Sequence, residues 1–147
     1  MRTPMFFIFL IALAMSSCSF PRFIILDNPL SPEEHINLGV AYEKKGEFEA
    51  AIKEYEVAVR KNPLAYLYLG NVYFQMGNHE RAEKNYIRAI EEDPKNADAY
   101  NNLAWLYYVM GKRLDEAERL VIKAIELNPS GSAIYRDTLD RIRQKKR

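Results

Sequence analysis

The stretch LAYLYLGNVYFQMGNHERAEKNYIRAIEEDP, residues 64 to 94, reads as two helices joined by a glycine turn and closed by a proline. Small residues, Gly70, Ala82 and Ala89, stand at helical spacing among large ones such as Leu69, Tyr73 and Tyr86. Two antiparallel helices approach closely only where side chains are small, so Gly or Ala belongs at each crossing and aromatics fill the flanks. Gly77 accepts the left-handed conformation that ends the first helix, and Pro94 stops the second.

The same unit recurs on both sides of this stretch. Leu38-Gly39-x-x-Tyr42, Leu69-Gly70-x-x-Tyr73 and Leu103-Ala104-x-x-Tyr107 open the three copies, and Gly46, Gly77 and Gly111 follow as turns. The second helices carry Ala51/Tyr55/Ala58, Ala82/Tyr86/Ala89 and Ala117/Val121/Ala124, and Pro63, Pro94 and Pro129 close them. Seven residues separate the two alanines each time, and five more reach the proline. Ser31-Pro32-Glu33-Glu34 combines an N-cap, a proline at the first helical position and a capping-box glutamate, so the first helix starts at residue 32. Beyond Pro129, residues 132 to 146 predict a seventh helix with Ile134, Leu139 and Ile142 inward. Arrays of stacked repeats need such a polar terminal helix over the last apolar face.

The pattern resembles the tetratricopeptide repeat from residue 32 to about 129, in its Leu-Gly-x-x-Tyr, Ala, Tyr and Pro positions. The resemblance implies an all-α fold, a right-handed α-solenoid of three helix pairs with a C-terminal capping helix. The repeats would span about 32–62, 63–96 and 97–131, with the cap at 132–147. Two departures stand out. Pro63 to Pro94 is 31 residues, three fewer than the usual spacing of about 34, and the loss falls around residues 61–66. Pro94 to Pro129 is 35, with the extra residue between Gly111 and Asp115. The short junction is expected to alter the angle between the first two repeats.

The amino-terminal end reads differently. Arg2 precedes MFFIFLIALAM, Met5 to Met15, which is apolar throughout and followed by Ser16 and Ser17, the anatomy of a secretory signal. An apolar run this short covers about 16 Å as a helix, roughly half a hydrocarbon core, so a permanent transmembrane helix is the poorer reading. Ser16-Ser17-Cys18 resembles the lipobox of bacterial lipoproteins, with Met15 where that family usually has Leu. That resemblance implies a signal peptide over 1–17, lipidation of Cys18 and a tether over 18–31. Ser19 then implies the outer membrane, on its periplasmic face, if the organism is Gram-negative. An ordinary signal peptide with an incidental cysteine and a signal anchor are the competing readings. Phe20 and Phe23 to Leu26 are apolar for a tether, and two placements are open for them, against lipid or back on the first helices.

The 147 residues, 48% hydrophobic and 28% charged, suit one folded domain rather than a disordered chain. Twenty-one basic and twenty acidic residues nearly cancel, so no field draws the chain to nucleic acid. The basic run Arg141, Arg143, Lys145, Lys146 and Arg147 reads as a solvated end of the cap, with contact to anionic lipid as the other reading. Cys18 is the single cysteine, so no intramolecular disulfide forms. His35 and His79 lie in different copies without metal-ligand spacing and read as surface residues. Phosphate-binding loops and nucleophile elbows are missing from the sequence, so neither catalysis nor a cofactor or metal is expected.

Binding is the expected activity. The family resemblance implies a concave groove lined by the first helix of each copy, with groove residues five, nine, twelve and thirteen places into each repeat. Those are Ile36, Val40, Glu43 and Lys44, then Leu67, Asn71, Phe74 and Gln75, then Asn101, Trp105, Tyr108 and Val109. Asn71, Phe74, Gln75, Asn101, Trp105 and Tyr108 form the candidate partner site, because amides bond extended backbone and aromatics supply contact energy. Core packing is the competing account of Phe74, Trp105 and Tyr108, and the asparagines have an alternative use in bridging helices. Chaperone-binding members hold a C-terminal carboxylate with Lys, Arg and Asn, a cationic set this sequence lacks. The expectation is a lipid-anchored scaffold of the bacterial cell envelope that takes a protein segment or helix. Pilus or secretin assembly and cell-wall enzyme adaptation are the roles that the family resemblance suggests. The alternative is a homo-oligomer whose solenoid stacks on itself.

Overall fold

A computed structural model describes residues 30–147. The expected signal segment 1–17, Cys18 and the tether up to residue 29 lie outside the described residues. The described chain is all-helical: α1 Pro32–Lys44, α2 Phe48–Ala58, α3 Leu64–Gln75, α4 His79–Glu92, α5 Ala97–Met110, α6 Leu114–Leu127 and α7 Ser132–Lys145. A short 3₁₀ turn, Pro129–Gly131, leads into α7. None of these helices is long and apolar enough to cross a membrane. Helices pair as α1 with α2, α3 with α4 and α5 with α6, and α7 packs against α6 and α5. The first helices also meet one another in sequence, α1 with α3, α3 with α5 and α5 with α7.

Local chemistry sets the boundaries. The Ser31 hydroxyl accepts from the Glu34 amide at 3.2 Å, and the Glu34 carboxylate accepts from the Ser31 amide at 2.7 Å, closing the capping box. Asn78 and Asn96 cap α4 and α5 through their side-chain oxygens. Gly77 turns between α3 and α4 at φ 73°, where a β-carbon would be strained.

The two spacing departures have visible consequences. α3 begins one residue after Pro63, whereas α5 begins three after Pro94, so the shortened junction loses its cap segment. Asn62 substitutes for that cap: its Oδ1 accepts from the Leu64 amide at 3.0 Å while its Nδ2 donates to Glu33 at 3.0 Å. The extra residue before α6 places Arg113 at φ 52°, the one positive-φ residue other than glycine among the described residues. That conformation costs about 1–2 kcal/mol. The Arg113 guanidinium grips Glu116 through two bonds of 2.7 and 2.8 Å, reaches Glu83 at 2.7 Å and lies 4.4 Å over the Tyr107 ring. Charge-assisted bidentate pairing offsets the strain.

The core is a continuous spine of the repeat residues. Ala51, Ala82 and Ala117 are fully buried where paired helices cross. A β-carbon on Gly39 would come within 2.3 Å of the Tyr55 ring, and one on Gly70 within 2.4 Å of the Tyr86 ring. Glycine is therefore what lets each tyrosine lie across the preceding helix.

The seventh helix forms, but its inward face differs from expectation. Ile134 is 71% exposed, while Tyr135, Thr138, Leu139 and Ile142 are buried. The apolar stripe starts one residue later, in step with the Leu-Gly-x-x-Tyr register of the earlier first helices, and the Tyr135 hydroxyl donates to Asp98 at 2.7 Å. The basic end is held within the chain. Arg141 pairs with Asp137, Arg143 with Glu118, and Lys146 with Asp115 and Glu118, while Lys145 donates to the Tyr108 carbonyl at 2.8 Å. These pairs support the reading as a cap, because four of the five cations already have partners.

Candidate functional site

The site grows out of the same close approaches. Passing over Gly39, the Tyr55 phenol donates to Glu43 Oε2 at 2.8 Å, and passing over Gly70, the Tyr86 phenol donates to Asn71 Oδ1 at 3.0 Å. Burial, reinforced by the Glu43 charge, pushes both phenols well above the ordinary tyrosine range. They remain protonated donors, and each fixes a polar group on a first helix.

Asn71 stands at the centre. Its Oδ1 also accepts from Asn102 Nδ2 at 2.9 Å, so two donors orient the amide and its own Nδ2 hydrogens are left to donate elsewhere. Gln75 Nε2 donates to Glu43 Oε1, which leaves the Gln75 oxygen as an acceptor. The floor thus offers both donors and acceptors, the pairing that extended backbone requires.

Two hollows flank Asn71. Val40, Glu43, Lys44, Tyr68, Asn71 and Gln75 line the first, of about 260 Å³, between α1 and α3. Glu43, Asn71, Phe74, Gln75, Tyr86, Asn102 and Trp105 line the second, of about 240 Å³, between α3 and α5. Both fall short of the roughly 300 Å³ and upward typical of small-molecule sites, and suit single side chains of a longer ligand. Phe74 stacks on His79 at 5.9 Å between ring centroids, and Trp105 meets Tyr108 at 4.9 Å.

Of the six candidate residues, Asn71, Phe74, Gln75 and Trp105 come together around the second hollow. Asn101 and Tyr108 do not line it. Asn101 is buried at 7% exposure, its Oδ1 without a partner and its Nδ2 3.4 Å from Asn102. One residue turns a helix by about 100°, so Asn102 takes the place expected of Asn101. Ile36 and Leu67, at the same register, are buried likewise, and Tyr68 lines the groove where Leu67 was expected. Tyr108 is drawn toward α7, with Lys145 Nζ 4.7 Å over its ring, and Arg141 lies 6.0 Å over Trp105. Those cations belong to α7, whose side chains sequence spacing within the repeats did not bring into view.

His35 is buried rather than a surface residue, and His79 is only partly exposed. His35 is 3% exposed with Nδ1 2.7 Å from Glu54 Oε2, and its Nε2 has no partner. It lies three residues before Leu38 and four before Gly39, on the face that packs. His79 is half-buried under Phe74.

Family models of the tetratricopeptide repeat match residues 32–65 and 96–128, and a TPR repeat model matches residues 70–111. No curated protein matches the chain. Among solved structures, the Sgt2 TPR domain from Aspergillus fumigatus aligns at 24% identity and TM-score 0.71, over 78% of each chain. The first TPR of Spaghetti (RPAP3), bound to an HSP90 peptide, aligns at 21% identity and TM-score 0.71, over 78% of this chain and 91% of that one. The type III secretion translocator chaperone SycD of Yersinia enterocolitica aligns at 23% identity and TM-score 0.71, over 78% and 93%. At these identities the likeness is one of fold.

Proposed function

We propose that this chain, a tetratricopeptide-repeat protein, is a protein-interaction scaffold of the bacterial cell envelope, anchored through a lipid on Cys18 and binding a partner segment along α1, α3 and α5. The observation that carries the binding reading is the oriented Asn71 amide between two hollows, with Phe74 and Trp105 beside it. Structural neighbours of the same fold, RPAP3 domains bound to HSP90 and HSP70 peptides, support a peptide as the ligand class. Lys44 is the one cation lining the two hollows, short of the Lys, Arg and Asn set that holds a terminal carboxylate, which favours an internal segment over a chain terminus.

The anchor rests on the sequence, Ser16-Ser17-Cys18 after an apolar run. Two acyl chains at about 0.8 kcal/mol per buried CH₂ hold a protein on a membrane without further contacts. The test combines both parts. The wild-type protein fractionates with membranes and Cys18→Ser does not; an unchanged distribution would remove the anchor. Asn71→Ala with Trp105→Ala, retaining helical circular dichroism, loses the partners that wild type captures from envelope extract. Identical capture by both would remove the groove.

A further inference from the structure

Glu43 is the acid shared by both hollows, and its charge is not neutralised by any ion pair among the described residues. Its two oxygens accept from the Tyr55 phenol and the Gln75 amide, both uncharged donors, and no ion pair joins it to a cation among the described residues. The walls facing it supply none: α3 carries no charged residue and α5 carries Asp98 alone. Lys44 also lines the α1–α3 hollow, as an exposed side chain, and the cations at the far end are held by α7 over Tyr108 and Trp105. Each carboxylate oxygen keeps a second lone pair, so the group is fixed in place yet able to accept again. A half-buried carboxylate held only by neutral donors is stabilised by an incoming cation more than an exposed one would be, because water screens it less.

Resting on the groove reading above, we infer that the bound segment carries a lysine or arginine whose cation pairs with Glu43, next to an apolar residue seated between Phe74 and Trp105. Tyr68 and Val40 would cover the aliphatic stem of that basic side chain, as long cationic residues require when their stems are buried. Asn71 Nδ2 donates to a backbone carbonyl of the same segment. The charge preference is thus opposite to that of a groove that captures carboxylates.

The probe is a positional-scanning library of short peptides, acetylated and amidated so that no terminal charge contributes, applied to the full-length purified protein. Wild type should select Lys or Arg over Gln at one position by roughly tenfold, the scale of a charge-assisted hydrogen bond. Glu43→Gln keeps an acceptor for Tyr55 and should lose that selection, so that Lys, Arg and Gln peptides are retained alike. Asn71→Ala should weaken every peptide. If Glu43→Gln fails to fold, Gln75→Glu, at an exposed position in the same hollows, should sharpen the selection instead. Selection of acidic residues, no preference at any position, or a preference that survives in Glu43→Gln or stays unchanged in Gln75→Glu overturns the inference and leaves the groove intact. A library with no retained member overturns the groove reading and this inference with it.

Discussion

The ring of Tyr86 fills the space that a side chain on Gly70 would need: a β-carbon there would lie 2.4 Å from both Cδ1 and Cε1 of the ring. The first copy repeats the relationship with Gly39 and Tyr55, and the third carries Ala104 and Val121, both fully buried, at the corresponding positions. A larger residue on one helix goes with a smaller one on its partner. Gly70→Ala should destabilise the fold, because overpacking costs about 1–3 kcal/mol against the roughly 1 kcal/mol that alanine gains over glycine in a helix. Combined with Tyr86→Val it should cost less than the two single changes added together. Urea unfolding of the three variants measures the coupling; strict additivity would contradict the account of the crossing.

Asn71 has two separable roles, accepting from Tyr86 and Asn102 and donating to a ligand. Asn71→Ala leaves both donors without their acceptor and should cost about 1–3 kcal/mol. Asn71→Asp keeps the acceptor and removes the Nδ2 hydrogens, so stability should change much less while partner binding is lost. Thermal unfolding and peptide retention, measured on both variants, separate the roles. Retained binding by the Asp variant would mean that the amide is structural alone.

Tyr55, Tyr86 and Tyr107 have phenols raised above their ordinary value of 10.0, first by burial and, for Tyr55 and Tyr107, next by the carboxylates they bond. A group whose folded value is raised contributes stability that is fully present below the unfolded value and lost as pH rises above it. The unfolding midpoint should therefore fall as pH climbs past about 10, and Tyr86→Phe should fall less steeply. Tyrosinate absorbance should show these phenols ionising only as the helices melt. Ionisation of all ten tyrosines before any loss of helical signal would contradict it.

Much of this was legible in the chain. Leu69-Gly70-x-x-Tyr73 and its two relatives determine which helices pair, because small residues at crossings and large ones beside them leave few packing solutions. The α7 register at Ile134 is not fixed by the sequence, since a single amphipathic helix tolerates a shift of one position, and the contact of Tyr135 with Asp98 decides it. Asn102 and Tyr68, rather than Asn101 and Leu67, line the groove for the same reason: neighbours on a helix differ by about 100°, and spacing alone does not say which of two adjacent residues faces out. The burial of His35 is not legible in the sequence because its partner, Glu54, lies on another helix. The roles of Tyr55 and Tyr86 in orienting Glu43 and Asn71 depend on contacts between helices, and a sequence read one helix at a time does not contain them.

The central claim, that the face of α1, α3 and α5 receives a partner segment, is tested most directly by photo-crosslinking in the cell. A photoreactive side chain at Gln75, exposed beside both hollows, is compared with one at Arg88, exposed on α4 away from them. A crosslinked partner from position 75, absent from position 88 and lost when Asn71→Ala is added, is the predicted result. Equal crosslinking from both positions, or crosslinking from position 88 alone, would contradict it.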